Sequence, residues 1–97
     1  MPGKLRHDLA RDENQPEIVA QLRALDGVSV FVIGRPVDLL VGYLGINYLL
    51  EVKVPGAKLT PTQKQFFIDW KGHRAVVTTP AEAVDAIAWQ RDTRSLV

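Results

Sequence analysis

One segment of this chain, residues 36–53, sets three charged side chains into an otherwise apolar stretch: Asp38, Glu51 and Lys53. Side chains alternate between the two faces of a strand, so Glu51 and Lys53 point the same way if the segment is extended. A two-residue turn at Leu44-Gly45 would fold it into an antiparallel hairpin and place Asp38 directly opposite Glu51. Because a slip of one residue would move Asp38 to the other face, the register decides whether the three charges meet.

Two carboxylates that face each other across a strand pair need something to offset their repulsion. Directly opposed residues have Cβ atoms roughly 5 Å apart, and two unit charges about 4 Å apart repel by on the order of 4 kcal/mol at an effective dielectric near 20. Lys53 balances one of the two negative charges. A hard divalent cation such as Mg²⁺, which takes oxygen ligands, would balance the rest. We therefore interpret Asp38 and Glu51 as candidate metal ligands.

A simpler interpretation assigns Glu51 and Lys53 to the solvent-facing side of an amphipathic strand, and Asp38 to a strand start after a proline turn. The surrounding residues favour the metal interpretation, because their continuous apolar character predicts a strand pair buried on both faces. A charge buried in such a pair requires a partner. These apolar residues are Leu39, Leu40, Val41, Leu49, Leu50, Val52 and Val54.

The composition restricts both the possible metal ligands and the number of domains. Ninety-seven residues, 46% of them hydrophobic, predict one domain over residues 1–97, with residues 1–11 and 90–97 as loose tails. The absence of cysteine and the presence of only two histidines exclude thiolate and zinc-type sites and leave oxygen ligands. No apolar run reaches about 18 residues and no signal-peptide pattern is present, so we expect a cytoplasmic protein without a membrane partner.

Hydrophobic periodicity and turn signals predict three helices and four strands. Apolar residues at helical spacing mark a first helix from about Asn14 to Asp26, and Val28–Ile33 is a β-branched first strand before the charged hairpin. Two helix-start signals, Thr60-Pro61-Thr62-Gln63 and Thr79-Pro80-Ala81-Glu82, open the second and third helices on either side of a short fourth strand. The order α-β-β-β-α-β-α predicts an α/β fold with a mixed four-stranded sheet flanked by helices.

This element order, with an acid at the start of strand two and Glu-x-Lys in strand three, resembles the PD-(D/E)xK nuclease superfamily and its restriction-endonuclease-like core. The likeness is greater to the small stand-alone VRR-NUC (virus-type replication-repair nuclease) domains of phages and bacteria, which are similar to Holliday junction resolvases. One difference is that Val37 separates Pro36 from Asp38, whereas the family places proline immediately before the acid. The matching segments cover nearly the whole chain: Asp12-Glu13-Asn14-Gln15, Val41-Gly42, Leu50-Glu51-Val52-Lys53, Leu59-Thr60-Pro61-Thr62-Gln63 and Glu82-Ala83.

The resemblance implies a role for each polar residue of the hairpin. Asp38 and Glu51 would bind Mg²⁺ or Mn²⁺ together with the backbone carbonyl of Val52, and Lys53 would hold the attacking water. Gln63 matches a glutamine that follows the core strands in these nucleases, where it would orient Lys53 or contact the phosphate. A helix-capping role explains the same glutamine equally well.

Further candidates lie outside the hairpin. An acid from the first helix often completes such sites, and Glu17 is the best candidate here, with Glu13 and the amide Gln15 nearby as alternatives. Asn14 and Glu17 also fit a capping box that needs no catalytic role. The basic residues that follow the hairpin would bind nucleic acid if the chain folds back over the site. They are Lys58, Lys64, Lys71 and Arg74.

The resemblance implies a divalent-metal-dependent DNA endonuclease, selective for branched DNA such as a Holliday junction or flap, in a bacterial or phage-infected cell. Paired cuts across a junction require two copies related by a twofold axis, so we expect a homodimer. The alternative is a non-catalytic nucleic-acid-binding or assembly module on the same fold. The intact set of two acids and a lysine favours the enzyme, because acids facing a phosphate backbone without metal would weaken a simple binder.

Overall fold

A computed structural model describes residues 13–95 of the chain, so the predicted tail at residues 1–11 lies outside the described residues. The elements follow in the predicted order α-β-β-β-α-β-α. Their bounds are α1 Gln15–Arg23, β1 Val28–Val32, β2 Leu39–Tyr43, β3 Ile46–Val52, α2 Pro61–Asp69, β4 Arg74–Val77 and α3 Pro80–Ser95.

The four strands form one mixed sheet in the order β1-β2-β3-β4, which confirms the predicted fold class. The first three strands pair antiparallel, and β4 lies parallel to β3. Parallel neighbours need a crossover connection, and α2 supplies it here. The carboxyl ends of β3 and β4 therefore lie at the same end of the sheet.

The hairpin between β2 and β3 has the register that a Leu44-Gly45 turn predicts. Leu44 has φ 53° and Gly45 has φ 79°, so both central residues are in the left-handed region that two-residue hairpin turns of the primed type require. Pairing runs from Tyr43 opposite Ile46 to Leu39 opposite Leu50. Continuing this register by one residue places Asp38 opposite Glu51.

The core lies on one face of the sheet, where α1 and α3 pack against the strands. The prediction that the β2–β3 pair is buried on both faces is wrong. On the other face, Leu40 and Leu49 are only partly buried and Phe31 is 69% exposed. The reason is that, within residues 13–95, α1 and α3 cover the first face, whereas α2 covers part of the second and has no fully buried residue. The fully buried core residues include Ile18, Leu22, Leu39, Val41, Leu50, Val52, Val77, Ala83 and Ile87.

The last helix is longer than the sequence analysis predicted. α3 continues to Ser95, so most of the segment predicted as a loose tail at residues 90–97 is helical, and residues 96–97 lie outside the described part of the chain. Its residues have helix-compatible propensities, with no glycine or proline between Ala81 and Ser95. Within residues 13–95, no helix combines the length and the apolar composition that crossing a bilayer requires.

Candidate active site

A cavity of about 540 Å³ opens at the carboxyl end of β3. One lip is the loop between β1 and β2, the floor carries the charged residues of the hairpin, and the other lip is the start of α2. The lining residues are Gly34, Arg35, Pro36, Asp38, Glu51, Lys53, Thr60, Thr62, Gln63 and Phe66. The three charged residues that the hairpin arithmetic brings together thus share one cavity.

Asp38 is fixed by hydrogen bonds at both its backbone and its side chain. Its backbone carbonyl accepts from the Ile33 N–H at 2.9 Å, which extends the β1–β2 ladder, and its Oδ2 accepts from the Val52 N–H at 2.9 Å. The carboxylate is therefore held against β3 beside Glu51. Val37, the residue that departs from the family pattern, is 1% exposed and packs inward, so the extra residue leaves Asp38 in register.

Glu51 is the buried acid of the cavity, with 3% of its surface exposed. Its Oε2 accepts a hydrogen bond from Gln63 Nε2 at 3.0 Å and lies 3.8 Å from Lys53 Nζ. Lys53 is on the same face of the strand as Glu51, as the alternation of side chains predicts. Burial of an ionised carboxylate is costly unless it is hydrogen-bonded and balanced by charge, and both partners are present here.

Gln63 forms the predicted helix cap and also contacts the cavity, through Glu51 rather than through Lys53. Its Oε1 accepts from the Thr60 N–H at 2.9 Å, and its own N–H donates to Thr60 Oγ1 at 3.2 Å, so the capping box of α2 is complete. Its Nε2 donates to Glu51. The two roles are compatible because a side-chain amide has an acceptor at one end and a donor at the other.

The atoms of the cavity that could bind a metal ion are oxygens. The Val52 N–H points toward Asp38, and the carbonyl of a strand residue leaves on the same side as its N–H, so the Val52 carbonyl also faces the Asp38 side. Among the side chains of residues 13–88, no group of three or more His, Cys, Asp and Glu is arranged to hold a metal. Two carboxylates and one carbonyl suit Mg²⁺ or Mn²⁺, which usually keep several waters and bind through one or two carboxylates.

Glu17 is not brought to this cavity. It is exposed on α1, where its Oε2 accepts from Gln21 Nε2 at 3.5 Å. The alternative prediction, a capping box between Asn14 and Glu17, is also wrong, because the Asn14 side chain makes no cap hydrogen bond. Asn14 Nδ2 instead donates to the carbonyls of Lys53 at 3.1 Å and Thr78 at 2.7 Å. Asn14, which directly precedes α1, therefore holds the end of β3 next to Lys53.

The four basic residues proposed to bind nucleic acid do not line the cavity. Lys58 and Lys64 are exposed, and Lys64 follows Gln63 on α2. Lys71 Nζ donates to the Ile68 carbonyl at 3.0 Å, and Arg74 Nη2 donates to the Phe67 carbonyl at 2.9 Å. These two residues therefore cap the carboxyl end of α2. That end lies away from the cavity, because α2 runs back along the sheet to the start of β4.

Arg35, which was not among the site residues predicted from the sequence, lines the loop-side lip of the cavity. The available signal was its position, directly before Pro36 in the loop that leads to Asp38.

Comparisons of the chain with protein-family models, curated proteins and solved structures find no match. The fold and the cavity define a small α/β domain whose open site combines two carboxylates, a lysine, an arginine and a glutamine.

Proposed function

We propose that this protein is a divalent-metal-dependent DNA endonuclease of the PD-(D/E)xK type that resembles VRR-NUC domains. The observation that supports this most strongly is the meeting of Asp38, Glu51 and Lys53 in one open cavity. Glu51 is buried there against a lysine and an amide donor. Burial of a carboxylate costs free energy unless it is paired and hydrogen-bonded, and the Lys53 ammonium and the Gln63 amide meet that requirement here.

The residues present fit Mg²⁺ or Mn²⁺. Asp38 uses Oδ2 for the Val52 N–H, which leaves its other oxygen for the cavity, and Glu51 and the Val52 carbonyl supply further oxygens. When bound, the cation would supply Lewis-acid polarisation of a phosphoryl oxygen and lower the pKa of a bound water.

The protein's own side chains have separate tasks in hydrolysis. The Lys53 ammonium, 3.8 Å from Glu51, orients the attacking water and stabilises negative charge that develops at the phosphate. Gln63 fixes the orientation of the Glu51 carboxylate through its 3.0 Å hydrogen bond. The water oxygen forms a bond to phosphorus and releases a proton to solvent, the bond from phosphorus to the leaving sugar oxygen breaks, and that oxygen takes up a proton from solvent.

The substrate we propose is branched DNA, at a Holliday junction or a flap. One cavity of this size cuts one strand, so symmetric cuts need two copies related by a twofold axis, and we propose a homodimer. Size-exclusion chromatography with light scattering, with and without a four-way junction, measures the number of copies. A single chain bound to a symmetrically cut junction would contradict the dimer.

The central experiment is a cleavage assay with the full-length protein. Labelled four-way junction, flap and linear duplex DNA are incubated with Mg²⁺, Mn²⁺ or EDTA. Asp38→Asn tests the acid with little structural change, because the asparagine oxygen can still accept from the Val52 N–H. Asp85→Asn is the matched control, since Asp85 is an exposed acid on α3 outside the cavity.

We expect metal-dependent cleavage that is retained in Asp85→Asn and falls by at least about a hundredfold in Asp38→Asn and Lys53→Ala, as is usual when charge-stabilising groups are removed. Binding without cleavage under every metal condition would favour the non-catalytic module instead. Full activity in Asp38→Asn would show that any nuclease activity arises elsewhere.

A further inference from the structure

Arg35 differs from the other arginines whose side chains the structure describes. Arg23 donates to the Val30 carbonyl at 3.0 Å, and Arg74 donates to the Phe67 carbonyl. Arg35 is exposed, lines the cavity, and forms neither a hydrogen bond nor a salt bridge with any of residues 13–88, whose side chains the structure describes. Its guanidinium is therefore the cation of the cavity that has no protein partner in the described part of the chain.

The charges of the cavity indicate what Arg35 would bind. Asp38 and Glu51 carry two negative charges, and Lys53 and Arg35 carry two positive charges, so the ionised cavity is neutral. Lys53 lies next to Glu51, whereas Arg35 is within 4.0 Å of neither carboxylate. A guanidinium presents a planar fork of donors that matches a phosphate, and phosphates are the charged groups that repeat along a nucleic acid strand.

We propose that Arg35 binds the phosphate next to the scissile one on the substrate strand, an inference that rests on the proposed nuclease function. The loop of Gly34, Arg35 and Pro36 forms one lip of the cavity, and Thr60 and Thr62 at the start of α2 form the other. A strand that places one phosphate over Asp38 and Glu51 passes between these lips. Because Arg35 lines the same cavity as Asp38 and Glu51, its guanidinium is the group on the loop-side lip that would contact the neighbouring phosphate.

This position makes Arg35 a positioning residue and predicts which kinetic constant depends on it. Arg35 is on the exposed lip, and a flanking phosphate carries the same charge in the ground state and in the transition state. An interaction that is equal in both states lowers KM and leaves kcat unchanged. An arginine bound to the scissile phosphate would instead act on kcat, because charge redistributes there during the reaction.

The test compares Arg35→Ala and Arg35→Lys with Arg23→Ala, which removes the same charge from the far end of α1 and lines no part of this cavity. Cleavage is assayed with metal at a temperature well below every melting point. Binding of a labelled flap is measured separately, by fluorescence anisotropy in EDTA over a range of salt concentrations, so that a result is obtained whether or not the DNA is cut.

We expect Arg35→Ala to raise KM by about tenfold and to leave kcat within about twofold, the effect of losing one charge-assisted hydrogen bond. The slope of log affinity against log salt falls by about 1, because one phosphate contact is lost. Arg35→Lys retains the salt slope and recovers part of KM, since lysine keeps the charge and loses the fork. Arg23→Ala matches wild type in both assays.

Two results would overturn the proposal: Arg35→Ala that behaves like Arg23→Ala, or Arg35→Ala that lowers kcat with KM unchanged. If wild-type protein cuts DNA but Arg35→Ala keeps the wild-type salt slope and KM, the role of Arg35 fails and the nuclease function stands. If wild-type protein binds but never cuts, and Arg35→Ala lowers the slope, the nuclease function fails and the phosphate contact stands. If wild-type protein does not bind DNA, both fail.

Discussion

At the scale of single residues, the amide of Gln63 joins the stability of a helix to the geometry of the cavity. Its oxygen completes the capping box of α2, and its nitrogen holds Glu51. A substitution that keeps one end of the amide and changes the other can therefore separate the two roles. Glutamate is suitable, because it retains the capping oxygen and replaces the donor with a second carboxylate oxygen.

We expect Gln63→Glu to lower kcat/KM by about tenfold or more, since two carboxylates in place of a 3.0 Å hydrogen bond repel and Glu51 turns away. Gln63→Ala should lose the cap as well, at a cost of about 1 kcal/mol of helix stability. Steady-state kinetics and thermal unfolding of both variants provide the measurement. Wild-type kcat/KM in Gln63→Glu would mean that the bond to Glu51 has no catalytic consequence.

Asn14 also holds distant parts of the chain together. One Nδ2 atom donates to carbonyls at the ends of β3 and β4, and the Asn14 Oδ1 atom is buried without a hydrogen bond within the described residues. These partners are 39 and 64 residues away in the sequence. The local pattern predicted a helix cap, and no local pattern contains the information for contacts at such a separation.

Asn14→Ala should lower the free energy of unfolding by about 1–3 kcal/mol, because two carbonyls at the strand ends lose their donor. Urea unfolding followed by circular dichroism measures this loss. Asn47→Ala, at an exposed position of β3, is the matched control and should stay within about 0.5 kcal/mol of wild type. Equal stability of the two variants would contradict the proposed role of Asn14.

At the scale of elements, the hairpin register was predictable because its turn has two residues and leaves one pairing possible. That register places Asp38 opposite Glu51. Strand alternation places Glu51 and Lys53 on a common face. The unusual feature is the first turn residue. Leu44 has φ 53°, a region that costs roughly 1–2 kcal/mol for an ordinary residue and is favoured by asparagine and glycine.

Leu44→Asn should therefore stabilise the domain by about 1 kcal/mol, which corresponds to a rise in melting temperature of about 4–8 °C for a domain of this size. Leu44 is 53% exposed, so little packing is lost. Differential scanning calorimetry measures the change. A lower melting temperature would mean that the contacts of the leucine side chain exceed the backbone strain.

The start of α3 carries an acid whose charged form is favoured by hydrogen bonds. Glu82 Oε1 accepts from the Thr78 N–H at 2.8 Å and from Thr78 Oγ1 at 2.9 Å, and the backbone bond is the main reason that the pKa of Glu82 is lowered from its usual 4.5. A folded-state pKa below the unfolded value stabilises the fold above the unfolded pKa. That stabilisation is lost as the pH falls through the lowered pKa.

Between pH 6 and pH 3, the melting temperature of Glu82→Gln should therefore fall less than that of wild type. The melting temperatures of the two proteins should differ most at neutral pH, where wild type has the stabilisation and the variant does not. Thermal unfolding followed by circular dichroism at several pH values gives both curves. Asp85→Asn removes an exposed carboxylate from the same helix and serves as the control. Parallel curves for wild type and Glu82→Gln would show that Glu82 does not contribute to the acid sensitivity.

At the scale of the whole molecule, the sequence predicts the floor of the cavity better than its lips. The floor belongs to paired strands, whose geometry follows from periodicity. The lips depend on the conformation of the β1–β2 loop and on the direction of α2. The crossover does explain one error, because a helix that joins parallel strands must return to the opposite end of the sheet, and this places Lys71 and Arg74 away from Asp38.

A cation bound at the floor of the cavity should stabilise the entire fold, since the unfolded chain does not hold Asp38 and Glu51 together. Ligand that binds the native state at a hundred times its Kd adds about 2.7 kcal/mol. We therefore expect saturating Mn²⁺ to raise the melting temperature of wild-type protein by about 10–20 °C. The rise is independent of DNA, so it tests the metal site without a cleavage assay.

The same titration with two conservative variants locates the bound ion. Asp38→Asn and Glu51→Gln keep acceptor oxygens for the Val52 N–H and for Gln63, so the fold is retained while each removes one negative charge. Both should lose most of the Mn²⁺-dependent rise, whereas Asp85→Asn should retain it. Each variant should also melt at or above the wild-type temperature in EDTA, because it relieves the repulsion that the cation otherwise offsets. An equal rise in all four proteins would place the ion at another site and remove the physical basis for two facing acids.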